Sequence, residues 1–117
     1  MALLTAQKIS ESGLTATYTA AGGSGDLLDN SGLEFLHVKN GSESGIAVTV
    51  TAQVTSVESE LYGPLTKSNV VVDIAAGAEE FIGPFATAAY NNSDGQIAIT
   101  YDSTTSVTIA ALYLATL

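Results

Sequence analysis

Residues 46–50 read Ile-Ala-Val-Thr-Val, and this alternation constrains the fold more than any other feature of the chain. Side chains along an extended strand point to opposite faces in turn. Ile46, Val48 and Val50 therefore share one face and Ala47, Thr49 and Thr51 the other, as in a half-buried strand. The same period starts again at Leu33. There Leu33, Phe35, His37 and Lys39 alternate with Glu34, Leu36, Val38 and Asn40. Neither of those faces is cleanly polar, which fits a strand inside a sandwich with one end exposed. Further short apolar runs are VVVDI at 70–74, AEEFIGPF at 78–85, QIAITYD at 96–102 and SVTIAALYLAT at 106–116.

The runs are separated by turn chemistry. NGSESG follows Val38-Lys39, AAG precedes AEEFIGPF, and NNSDG ends in Asp-Gly, which supplies the positive φ of a tight β-turn. Gly83-Pro84 interrupts its own strand. About seven or eight short strands at such spacing indicate a sandwich or barrel. The expected fold is all-β, a single antiparallel, jelly-roll-like β-sandwich over residues 26–117.

Residues 1–25 are expected to form an N-terminal arm with a short helix. Thr5 is placed to cap AQKISES, and Gly13 to end the helix in the left-handed conformation. TATYTA at 15–20 is β-prone, and AGGSGD breaks the chain after it. Residues 55–68, with Pro64, read as a long loop.

Composition excludes several roles. Three Lys and no Arg face twelve acids, for a net charge of -9. Phosphate recognition needs cations, so no nucleic-acid partner is expected. No membrane partner is expected either, because anionic surfaces repel such a chain. The uncharged stretch from Ser103 to Leu117 is too short and too rich in Thr and Ser to span a bilayer. Hydrophobic residues make up 46% and charged residues only 13%, the reverse of a disordered composition. With no cysteine there is no disulfide and no thiolate metal site. The N-terminal MALLTAQKIS lacks a basic start and an apolar core, so no secretory signal is expected.

Three motifs invite a chemical reading. Glu79 and Glu80 are adjacent carboxylates. Neighbours on a strand point to opposite faces, so they cannot flank one bond as a glycosidase pair does. His37 is the only histidine, which any Ser–His–acid site here would require. It lies between Leu36 and Val38 with no glycine elbow or serine motif beside it, and reads as a packed or surface residue. YNNSDG superficially suggests a calcium loop, but Tyr90 and Tyr101 occupy the first and twelfth positions where acids belong. The glycines of AGGSGD do not form a phosphate cradle. No catalytic residue, cofactor or metal is therefore expected, and the chain is not expected to be an enzyme. Leu61, Tyr62 and Leu65 flank Gly63-Pro64 in a polar stretch, where exposed apolar residues suggest a contact surface.

The strings FLHVKNGS, AAGAEEFIGPF and YNNSDGQIAITYDSTTSVTIAALYL resemble a family of small tailed-bacteriophage virion proteins, the capsid cement or decoration proteins. The similar pattern there is a strand ending in Lys-Asn-Gly, a Pro-Ala-Gly turn leading to Ile-Gly-Pro-Phe, and a closing strand after an Asn/Asp-Gly turn. Ala76 stands here in place of the proline before Gly77. The resemblance runs from about Leu33 to Leu114, with a weaker match in LTAQKISESGL. It implies a jelly-roll-like subunit that forms a homotrimer on the outer capsid surface of the virion and clamps the major capsid protein, after synthesis in the host cytoplasm. It carries over no catalytic residue. A tail or head-fibre module that binds the host surface or its glycans is the alternative.

Overall fold

The structure, a computed structural model, describes residues 1–53, 56–59, 63–66 and 68–114. Its strands are β1 (Ala2–Leu4), β2 (Ala6–Ile9), β3 (Thr19–Ala20), β4 (Asp26–Asp29), β5 (Glu34–Asn40), β6 (Ile46–Val50), β7 (Ser56–Ser59), β8 (Gly63–Thr66), β9 (Val70–Ile74), β10 (Glu79–Ile82), β11 (Gln96–Tyr101) and β12 (Val107–Leu114). One short helix, α1 (Thr87–Tyr90), lies between β10 and β11. Two five-stranded sheets form the body. Sheet A has the order β1-β4-β11-β6-β9, and sheet B the order β10-β5-β12-β2 with β3 also on β12. β7 and β8 pair as a separate hairpin.

The period-two reading of residues 46–50 places their apolar face in the core, while strand β4 was not expected. Ile46, Val48 and Val50 of β6, Leu28 of β4 and Ile97 and Ile99 of β11 are buried on the inner face of sheet A. They meet Leu36 and Val38 of β5 with Val107, Ile109 and Ala111 of β12 in one core cluster. Asn40 is the polar exception on the inner face of β5, and its amide is fully used. Nδ2 donates to the carbonyls of Ser44, Ile74 and Ala75, while Oδ1 accepts from the Ser42 amide and hydroxyl. Satisfying every amide lone pair and proton is what makes a buried asparagine tolerable. Here it fastens the turn after β5 to the end of β9.

Three expectations need correction. The N-terminal helix does not form. Thr5 instead links two strands, β1 parallel to β4 in sheet A and β2 parallel to β12 in sheet B. A helix of two turns has little stability of its own, whereas a strand beside an open sheet edge gains ladder hydrogen bonds and covers apolar surface. Gly13 does take positive φ, at 94°, but it closes a turn from Ser10 rather than a helix. The two parallel pairs also make the sheets mixed rather than wholly antiparallel, and residues 1–25 are woven into both sheets. Finally, the expected loop 55–68 contains the β7–β8 hairpin. Helix α1 was not expected. Its Tyr90 packs edge-on against Phe85, with ring centroids 6.1 Å apart, and the two rings close one end of the core.

Candidate contact surface

The two outer faces differ in chemistry, and the register of sheet B explains the difference. Across β12, β5 and β10, Thr108, Lys39 and Glu79 stand in one row, and Ala110, His37 and Phe81 in the next. Leu112 faces Phe35 in the row beyond. The pleat sends all of these to the outer face, since Val38, Leu36 and Ala111 of the intervening rows point into the core. Leu33 and Leu114 extend the apolar face past the last row and are both exposed, as is Phe81 at 65%.

Half of this face is roofed by the chain itself. Gln7 of β2 grips the backbone of Thr17 at both ends, its Nε2 donating to the carbonyl and its Oε1 accepting from the amide, each at 2.8 Å. That clasp sets Tyr18 over the β12 edge. Ala110 is small enough for the Tyr18 side chain to cross it and reach His37, where the phenol oxygen and Nδ1 share a hydrogen bond. The His37 ring stacks on Phe81, with centroids 4.1 Å apart and planes 9° apart. Lys39 Nζ sits 4.0 Å above the Tyr18 ring, a cation–π contact. Ala110 and Leu112 are buried as a result, although neither belongs to the inner core.

His37 is thus a packed histidine, as its position between Leu36 and Val38 suggested. Its neighbours were not legible in the sequence. Nε2 is buried without a hydrogen-bond partner and lies 3.3 Å from Glu79 Oε1, an ion pair only if the ring is protonated. Glu79 and Glu80 stand opposite Lys39 and Val38, on opposite faces of β10, and both are exposed. The structure does not bring them together. Among the described residues no group of three or more His, Cys, Asp or Glu could hold a metal ion. No helix among them is long and apolar enough to cross a membrane.

Leu61 and Tyr62 of the expected contact surface lie outside the described residues. Leu65 lies in β8, opposite Val57. Among the described residues the candidate contact surface is the outer face of sheet B, where Leu33, Phe81 and Leu114 are exposed. Its signal in the sequence was the odd-numbered set Leu33, Phe35 and His37, continued by Phe81 only once β10 is known to pair with β5.

No protein-family model, curated protein or solved structure matches the chain.

Proposed function

We propose that this chain is a structural virion protein, a capsid cement or decoration protein that binds the outer surface of a tailed-bacteriophage head. In this reading it associates as a homotrimer and ties neighbouring major capsid subunits together. The observation that carries the reading is the set of exposed apolar residues Leu33, Phe81 and Leu114 on one outer sheet face of a small sandwich. Apolar side chains gathered on one face mark a surface that another protein covers. The resemblance of FLHVKNGS and AAGAEEFIGPF to cement proteins supports the same reading, and both strings map to strands β5 and β10, which build this face. The mechanism is mass action: a ligand that binds only the assembled shell stabilises that shell. Several weak contacts made at once by a trimer hold better than one.

The test is binding to heads that lack this protein. Wild-type protein is expected to cosediment with such heads and to raise their resistance to heat. Phe81→Asp is expected to fold normally and to lose binding. Failure of the wild type to bind heads would overturn the reading. Light scattering is expected to return a mass near three times the 11.9 kDa of the chain at micromolar concentration. A clean monomer would remove the trimer from the proposal.

A further inference from the structure

β12 offers one long edge, and two different strands cover it. β2 runs parallel to residues 111–114 and β3 antiparallel to residues 108–109. The two part at Ala110. Behind the gap lies a cavity of about 460 Å³ between the sheets, on the side where Thr5 crosses from sheet A to sheet B. Its rim is exposed and rich in hydroxyls: Thr5, Thr17 and Thr19 line it. Its floor is buried strand β12, where the inward-facing side chains are those of Ile109 and Ala111.

Asp26 lines this cavity and is only 1% exposed. Its Oδ2 accepts from the Tyr101 hydroxyl at 2.8 Å and from the Gly22 amide at 3.0 Å. Oδ1 takes no side-chain or amide hydrogen bond from the described residues, and it lies so close to Gly22 that any side chain there would strike it. Burial, the hydrogen bond to Asp26 and its charge all hold the Tyr101 phenol far above its ordinary range, so Tyr101 stays a neutral donor. A carboxylate taken out of water is costly unless a counter-charge meets it. Among the described residues the only ion pair is that of His37 with Glu79, and no cation reaches Asp26.

We propose that this cavity is a binding site for a primary alkylammonium group, the end of a lysine side chain or of a free alkylamine of similar length, with Asp26 as its counter-charge. An ammonium offers three donors. One meets the Asp26 carboxylate, and the threonine hydroxyls at the rim accept the others. Thr19 Oγ1 donates to the Ile109 carbonyl at 3.5 Å, which leaves its lone pairs for a ligand. Ile109 and Ala111 of the floor pack against the methylene stem. An anion is repelled by the carboxylate, and a neutral ligand leaves it unpaired. A divalent metal needs several oxygen ligands together, and no such acidic group exists among the described residues. The inference does not depend on the assembly reading above.

The test uses the isolated full chain. Amide NMR spectra are recorded during titration with n-butylammonium and, separately, with 1-butanol as the neutral isostere. Saturable shifts are expected at Ala20, Ile109, Ala110 and Ala111 with butylammonium, and affinity for butanol is expected to be at least about tenfold weaker. Asp26→Asn keeps the size and one oxygen to accept from Tyr101 and Gly22, removes the charge, and is expected to abolish the preference for the ammonium. Ala20→Leu, at an exposed rim position, is expected to block the cavity without disturbing the fold, and serves if the Asp26 variant does not fold. A lysine blocked at both backbone ends separates the two sources. Its binding as tightly as butylammonium supports a lysine of a partner protein, and binding of butylammonium alone supports a free amine. Absence of saturable shifts, equal response to butanol, or indifference to both substitutions would overturn the proposal.

Discussion

The outer faces of the two sheets are built on the same pleat, yet they differ in chemistry. Sheet A presents Ala47, Thr49, Thr100, Gln96, Asp29 and Asp73, interrupted by the apolar Val71, Leu27 and Leu3, of which Val71 and Leu3 are exposed. Sheet B presents Phe35, His37, Phe81, Leu112 and Leu114, and then lays Tyr18 across part of them. A sheet in a sandwich needs only one apolar face. Sheet A stays nearer that minimum and has no aromatic residue on its outer face among the described residues. Sheet B exceeds it, and the excess is either roofed by residues of its own chain or left open to a partner. The contrast teaches where to look for function in a two-layer fold: at the outer face whose residues packing alone does not require.

The largest effect expected from breaking this contrast is at Leu112. It is 5% exposed on the outer face of sheet B, so Leu112→Asp buries an unpaired charge. We expect a loss of roughly 3–5 kcal/mol in chemical denaturation. Thr49→Asp, at a half-buried position on the outer face of sheet A, should cost less than about 1.5 kcal/mol, because charge there keeps part of its water. Equal losses at both sites would end the distinction between the faces. Next comes the roof. Tyr18→Phe removes the hydroxyl from Nδ1 and leaves a second nitrogen of a buried imidazole unpaired. The expected cost is about 1–3 kcal/mol by the same measurement, and a variant as stable as wild type would show that Tyr18 does not hold the roof.

The acidic neighbours should matter less. Glu79→Gln and Glu80→Gln are each expected to change stability by under about 1 kcal/mol, since both side chains are exposed. Both variants are also expected to retain head binding. A hydrolytic activity present in wild type and lost in either variant would contradict the separation of these carboxylates by the sheet. The smallest effect concerns pH at the start of β5. Partial burial pushes the Glu34 carboxyl up, but hydrogen bonds from the Ser31 amide and hydroxyl outweigh it and hold the group below its ordinary value of 4.5. A depressed carboxyl stabilises the fold above its unfolded pKa and loses that contribution as pH falls through the lower folded value. The Ser31 amide signal should therefore move in the acid range below 4.5. A Ser31 signal that titrates at or above the ordinary value would show that the clasp is absent.

Much of the core was legible before any coordinates. Strict alternation in Ile46–Val50 fixes which side chains point inward, whereas both faces of residues 33–40 carry apolar groups and only the sheet decides that Leu36, Val38 and Asn40 face the core. The two-sided apolar character of VTIAALYL likewise required a central position, and β12 occupies one, between β5 and the β2 and β3 pair. The turns at Gly77 and Gly95 followed from glycine's freedom at positive φ. Residues 33–40 apart, these are local rules, and local sequence was enough to apply them.

The N-terminal segment and the contact face were decided elsewhere. AQKISES carries a fair helix signal, but the helix competes with pairing along an edge of β12 that lies about a hundred residues further on, and only the assembled sheet reveals that the edge is open. The contacts of Tyr18 with His37, and of His37 with Glu79 and Phe81, join residues from three distant segments whose meeting depends on register. The same holds for Asp26, an ordinary loop-edge acid in the sequence. It becomes a buried carboxylate facing a cavity because β1, β3 and β12 close around it. Period and turn chemistry determine which way each side chain points. Which distant side chains then meet, and what solvent they lose, is set by how the strands are ordered, and that order is a property of the whole chain.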